Sequence, residues 1–285
     1  MKPIKLITLC ILLTSCNKWD IGGFFAQSGK NVDGRFEESI AYNESHSQVV
    51  IPVPTDEYIF YAFGDTHIEE TTTNLTKLMK LARNDSNTAF IFFLGDFINI
   101  TGAFDRVKTA IEFHQEEQQY NKTLLTTVGN HDLYFNQWKD YAKLFGTSTY
   151  TFELETPNFN DLYIVLDSGS GTLGAKQLKW LKKVLKEQRE THRRCIICSH
   201  TNMFKTDNSQ TTSGNYALDE TNELSSLFAD YHVDMYLNGH DHFFGTDKFR
   251  KVTYLTAHSM QDYINNPAYL ILTVGEQVYF ENKEL

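Results

Sequence analysis

From Tyr58 onward, apolar runs of strand length alternate with polar, helix-like stretches, the texture expected of an α/β domain. The runs are Tyr58–Phe63, Ala89–Leu94, Leu124–Val128, Ile196–Ser199 and Val233–Asn238. A helix is predicted over Thr172–Arg189, where Leu173, Leu178, Leu181, Val184 and Leu185 recur at three- and four-residue spacing with lysines between them. Val252–Leu255, Tyr269–Val274 and Gln277–Phe280 look like closing antiparallel strands. Before Tyr58 the texture differs. Gly22, Gly23, Gly29, Gly34, Pro52 and Pro54 punctuate a stretch with one short helix expected around Arg35–Tyr42, which suggests a tether leading into a covering segment. No internal repeat or low-complexity segment interrupts the pattern.

Each of the five apolar runs ends in residues that can ligate a metal. They lead respectively into Gly64-Asp65-Thr66-His67, Gly95-Asp96, Gly129-Asn130-His131-Asp132, His200 and Gly239-His240-Asp241-His242. In open α/β sheets, ligands bind beyond the carboxyl ends of the strands, so such residues converge on one place. Taken singly, Asp-x-His or Gly-Asn-His is an ordinary polar turn; all five at strand ends in one chain argue against coincidence. Imidazole, carboxylate and amide oxygen together suit borderline to hard divalent or trivalent ions. Two such ions need a shared carboxylate, and Asp96 is the natural bridge. His46, His114, His192, His232 and His258 have no comparable setting and are expected on the surface or in packing roles.

Composition sharpens the class. The 285 residues are 41% hydrophobic and 14% aromatic with 22% charged, which excludes collagen-like, coiled-coil and disordered chains. The 36 acidic and 26 basic side chains give a net charge of −10, and no basic run tracks a phosphodiester backbone, so a nucleic-acid scaffold role is disfavoured. A bound metal reverses the local field, so small anionic substrates remain compatible with that charge. Cys195 and Cys198 lie three apart on one predicted strand and so face opposite sides, as buried thiols rather than a redox or zinc pair.

At the N-terminus, Lys2 and Lys5 precede a short apolar run, Ile7–Leu13, too short to span a bilayer. It ends in Leu13-Thr14-Ser15-Cys16, which resembles the lipobox of bacterial lipoproteins. That resemblance implies a signal peptide over residues 1–15, lipidation of Cys16, and attachment to a membrane of the bacterial cell envelope, facing the periplasm or the surface. Cleavage near Ser15 with Cys16 left as a free thiol is the alternative. Removal of Lys2 and Lys5 takes the net charge from −10 to −12. Sequons at Asn43, Asn74, Asn84, Asn99 and Asn121 are taken as chance in such a protein.

As a set, Asp65-x-His67, Gly95-Asp96, Gly129-Asn130-His131-Asp132, His200 and Gly239-His240-x-His242 resemble, in kind and order, the calcineurin-like metallophosphoesterases. The resemblance runs from about Tyr58 to Gly245. It implies a four-layer αββα sandwich of two mixed sheets flanked by helices, with a dinuclear metal site at the strand ends. Carried over position by position, Asp65, His67 and His242 hold one metal, Asp96 bridges, and Asn130, His200 and His240 hold the second. Mn, Fe, Zn and Mg are all compatible. His131 then protonates the leaving alkoxide, and hydrolysis of small phosphate mono- or diesters by metal-activated hydroxide follows.

One position departs from part of the family. In the protein-phosphatase branch an Asp stands three residues after the bridging Asp and an Arg-Gly pair follows it; here Asn99-Ile100-Thr101 occupies those positions. That disfavours the protein-phosphatase branch and makes Asn99 the expected amide partner of His131. The absence of Tyr at that position also removes the iron–tyrosinate ligand of purple acid phosphatases. Because the motifs draw on most of the chain, one domain over residues 58–285 is expected, preceded by the lipidated tether and covering segment of residues 16–57, in a monomer. The rival expectation is a non-catalytic surface lipoprotein that keeps the fold.

Overall fold

A computed structural model describes residues 30–116, 122–204, 209–211 and 214–285. The expected signal peptide, Cys16 and the first part of the tether lie outside the described residues.

Two mixed sheets form the centre. The five-stranded sheet contains β2 (Tyr58–Phe63), β3 (Thr88–Phe93), β4 (Thr123–Thr126), β11 (Ala268–Val274) and β12 (Val278–Glu284), in the order β12-β11-β2-β3-β4. Strands β2, β3 and β4 are parallel, whereas β11 pairs antiparallel with both β2 and β12. The seven-stranded sheet contains β1 (Val49–Pro52), β5 (Tyr150–Glu155), β6 (Asn160–Val165), β7 (Cys195–Cys198), β8 (Met235–Asn238), β9 (Gly245–Phe249) and β10 (Val252–Thr256). Its order is β1-β5-β6-β7-β8-β10-β9, with β6, β7, β8 and β10 parallel. The expected antiparallel closure therefore holds for β11 and β12, while β10 has a parallel neighbour, β8, on one side and an antiparallel one, β9, on the other.

The layers follow from which residues are buried where. Phe60, Ala62, Phe90 and Phe92 from one sheet meet Phe152, Tyr163, Ile196 and Leu237 from the other in a shared apolar core. Strands buried on both faces carry continuous apolar runs rather than alternation, which is why these segments stand out in the sequence. On the outer face of the five-stranded sheet, Phe63, Ile91 and Phe93 pack against α2 (Thr73–Asn84), α3 (Phe104–Glu116) and α4 (Trp138–Phe145). Ile164, Ile197 and Tyr236 do the same on the other side against α5 (Gly174–Gln188) and α6 (Leu218–Asp230). The result is the expected αββα sandwich. Cys198 belongs to the inter-sheet core and Cys195 to the outer one, both as free thiols, as their spacing requires.

The segment before Tyr58 is more deeply built in than a tether. Helix α1 (Val32–Glu44), started by the Asn31 side chain accepting from the Gly34 N–H, packs on α5, and β1 joins the seven-stranded sheet parallel to β5. Arg35, fully buried, donates through Nε and Nη2 to the two carboxylate oxygens of Asp167 at 2.8 and 2.9 Å. Its Nη1 donates to the Lys30 carbonyl and Nη2 also to Ser170. Residues 30–57 thus pack onto the domain as the expected covering segment. Among the described residues, no helix is long and apolar enough to cross a membrane.

Candidate metal centre

The ends of β2, β3, β4, β7 and β8 converge on one place, and main-chain hydrogen bonds tie them together as they leave the sheets. Asp65 and His67 N–H donate to the carbonyls of Gly95 and Asp96 at 2.9 and 3.1 Å, and Gly239 N–H donates to the His200 carbonyl at 3.0 Å. Asp65, His67, Asp96, His240 and His242 all sit at positive φ, between 43° and 75°, a region that non-glycine residues adopt only where the surroundings enforce it. Two glycines are required by close approach. A Cβ on Gly129 would lie 2.1 Å from Asp96 Oδ1, and one on Gly239 would lie 2.4 Å from Asp65 Oδ2.

The donor atoms fall into two groups that share one residue. Asp65, His67, Asp96 and His242 form the first, and Asp96, His200 and His240 the second. In the first, His67 Nε2 and His242 Nε2 are 2.9 Å apart, and Asp65 Oδ1 lies 3.4 Å from His242 Nε2. In the second, Asn130 Oδ1 lies 3.1 Å from His200 Nε2 and 3.0 Å from His240 Nδ1. Asp96 Oδ2 stands between them, 3.6 Å from His67 Nε2 and 3.3 Å from His200 Nε2. All seven residues expected as ligands are therefore gathered.

The residues fit a pair of divalent ions. Donors about 2.1 Å from a cation lie about 3–3.5 Å from one another, which is the spacing seen here. The chemistry agrees. His200 Nδ1 donates to the Leu94 carbonyl at 2.7 Å, so Nε2 faces the Asn130 carbonyl oxygen in a contact that only a proton or a cation at that place reconciles. Burial pulls His67 down to about 4 and His240 down to about 3, so both are neutral and able to ligate at physiological pH. Burial also disfavours a charged His200, yet the Asp96 carboxylate and its hydrogen bond, with Asp65, lift it to about 10. A proton thus occupies a place that a cation would take.

His131 is placed by the same carboxylate: its backbone N–H donates to Asp96 Oδ1 at 2.8 Å, and its ring stands edge-on to His67 with centroids 4.4 Å apart. The expected hydrogen bond from Asn99 is not made. Ile98 bridges to Ile68, and this pairing carries Asn99 alongside Glu69, whose carboxylate accepts from the Asn99 amide. His131 Nδ1 is buried with no hydrogen-bond partner among the described residues. Asn99 is thus corrected from partner of His131 to partner of Glu69.

Asp132 is the contributor that sequence reasoning left without a role. Fully buried, it accepts from the backbone N–H groups of Asp96, Phe97 and Gly129 at 2.8–2.9 Å, and so clamps the exits of β3 and β4 together. Its place in Gly129-Asn130-His131-Asp132 was the available signal. Around the mouth, Phe135 and Phe243 are exposed and Tyr134 is half-buried against His131. Met203 and Phe204 pack into the outer core, Phe244 packs against the inter-sheet core, and Asn202 holds Asp241.

A family model described as calcineurin-like phosphoesterase matches residues 59–244. No curated protein sequence matches the chain. Among solved structures, the fold is similar to a dimetal phosphatase from Danio rerio (TM-score 0.59, 14% identity, covering 82% of this chain and 98% of that one). It is also similar to the purple acid phosphatase PPD1 of yellow lupin, Lupinus luteus (0.61, 15%), covering 82% of this chain but only 53% of that one. A third is GAP50, described as the anchor in the inner membrane complex of Plasmodium (0.58, 12%, 80% and 84%).

Proposed function

The chain belongs to the calcineurin-like phosphoesterase family and is a metal-dependent phosphoester hydrolase with a dinuclear divalent site; on that premise we propose an exported, lipid-anchored enzyme that cleaves small phosphate mono- or diesters. The observation that carries the catalytic reading is the double use of Asp96, whose Oδ2 is common to both donor groups while Oδ1 fixes the backbone of His131. A relic kept only for binding has no need of that arrangement. The anchor and the bacterial envelope rest on Lys2, Lys5 and the Leu13-Thr14-Ser15-Cys16 run.

In this reading Asp65, His67, Asp96 and His242 hold one ion and Asp96, Asn130, His200 and His240 the other. Bound there, the ions supply Lewis acidity toward the phosphoryl oxygens and a nucleophile at neutral pH. His131 delivers a proton to the leaving alkoxide. Its ring is confined between His67 and Tyr134, so little orientational freedom is lost when the substrate arrives. Asp132 keeps Asp96 and Asn130 in register by holding both backbone segments.

The test is a panel of aryl phosphate mono- and diesters assayed with Mn²⁺, Zn²⁺, Fe²⁺ and Mg²⁺ on the soluble form that starts after Cys16. Asp96→Ala should lose both metal and activity. His131→Ala should keep its metal and lose about 10²–10⁴-fold in kcat. Two ions per chain with no hydrolysis of any ester would favour the binding-lipoprotein reading. Fatty-acid labelling that persists in Cys16→Ser would sink the anchor.

A further inference from the structure

Tyr134 has no part in the ligand set, yet it touches two members of the site at once. Asn130 Nδ2 donates to the Tyr134 hydroxyl oxygen at 2.8 Å, and the Tyr134 ring lies against His131 with centroids 4.7 Å apart. An asparagine has two nearly isosteric ends, and only the carbonyl end can ligate a cation. At Asn130 the carbonyl end faces His200 Nε2 and His240 Nδ1, and the amide end faces the phenol. A half-turn of the side-chain amide would point N–H groups at the metal position.

On the amide side that choice falls to Tyr134, opposite the His200 and His240 rings on the carbonyl side. No other hydrogen bond to Asn130 Nδ2 is found among the described residues, and the two imidazoles face Oδ1 alone. The hydroxyl is itself held in place by local backbone. Tyr134 is in an extended conformation (φ −58°, ψ 147°) inside the 3-10 segment His131–Asn136, and Phe135 and Asn136 follow at φ 54° and 66°. That break in the helix folds the Tyr134 ring back over Asn130 and His131 instead of letting it continue along a helical face.

We propose that Tyr134 is a positioning residue that, from the amide side, helps hold Asn130 carbonyl-inward and so tunes how tightly the second metal is held. The inference rests on the dinuclear reading above and adds a residue that acts through Asn130 rather than on substrate. Partners of metal ligands commonly change affinity by about 10–100-fold when removed, and an effect of that size is expected here.

Calorimetric titration of the metal-free soluble chain with Mn²⁺ tests it. Tyr134→Phe keeps the ring and should bind the second Mn²⁺ about 10–100-fold more weakly, leaving the first ion and the melting temperature of the metal-free protein unchanged. The decisive arm is Asn130→Asp, in which both ends of the side chain are oxygens and there is no orientation to set. In that background Tyr134→Phe should change second-ion affinity by less than about threefold, well below the single-variant effect. An unchanged second affinity in Tyr134→Phe overturns the proposal, as does an equal loss in both backgrounds. Failure of the parent protein to bind two ions would refute the dinuclear reading instead, so the two failures are distinguishable.

Discussion

Replacing Arg35 by methionine keeps the aliphatic stem and removes the guanidinium from a position with no solvent exposure. Asp167, equally buried, would be left with the Ser148 hydroxyl at 3.0 Å and the Gly169 N–H at 3.3 Å in place of a bidentate cation. Removing one partner of a buried ion pair costs about 3–5 kcal/mol, because the remaining charge keeps its desolvation penalty without its compensation. In a domain of this size each kcal/mol moves the midpoint by about 2–4 °C, so a fall on the order of 10 °C is expected. Removing both charges, in Arg35→Met with Asp167→Asn, should recover at least half of the loss. The effect should also reach the metal centre. Ser168, next to Asp167, accepts from the backbone N–H groups of His200 and Thr201 at 3.1 and 2.8 Å, so a displaced Asp167 shifts the strand exit that carries His200. Urea denaturation followed by far-ultraviolet circular dichroism, with and without Mn²⁺, measures both consequences. If Arg35→Met lost less than about 1 kcal/mol, α1 would be a dispensable cover and the argument for the close packing of residues 30–57 onto the domain would fail.

Three further outcomes follow from the geometry. Gly129→Ala should lower both stability, by about 1–3 kcal/mol, and metal content, because its methyl group displaces Asp96; full metal content by elemental analysis would contradict this. Asn99→Ala should leave the shape of the pH–rate profile intact, since the amide holds Glu69 and not His131; a displaced profile would restore the pairing expected from sequence. Burial pushes Cys195 up to about 12 and Cys198 well above the usual thiol range, so neither supplies thiolate at pH 8 in the folded state. A thiol-specific reagent should therefore label both only after denaturation, and labelling of the native domain at the rate of a free thiol would count against the assigned packing.

The metal centre was legible in the sequence because the relevant signal is local in each strand. A run buried on both faces is conspicuous, and the residue that ends it is fixed at the sheet margin by the strand itself. Asn99 was misplaced for the opposite reason. Its neighbour Ile98 bridges to Ile68, a pairing between separate strand exits that decides which side chain the amide meets, and nothing near Asn99 announces it. Before Tyr58 the short helix was expected and is present, but how deeply it and β1 are packed was not legible. Helix α1 buries Arg35 and Ser39 rather than an apolar stripe, and β1 is four residues long, so neither shows the periodicity that marks α5. Met203, Phe204 and Phe244 follow ligand positions closely along the chain, which by itself would put them near the rim. The chain turns them into the cores instead, a choice made by tertiary packing that spacing along the sequence does not encode.

The two oxygens of Asp96 have different tasks, and this limits what genetics can resolve. On the proposed mechanism, a variant at that position would lose the common ligand of both ions and the anchor of the His131 backbone in one stroke, so electrophile and proton donor would form a single heritable unit there. A mutational scan would report Asp96 as intolerant without saying which task was lost. Separation is possible only one step away in either direction, at Asn130 for the ions and at His131 for the proton. On that reading, loss of His131 alone would leave a binding protein, whereas loss of the shared carboxylate would end binding and catalysis together.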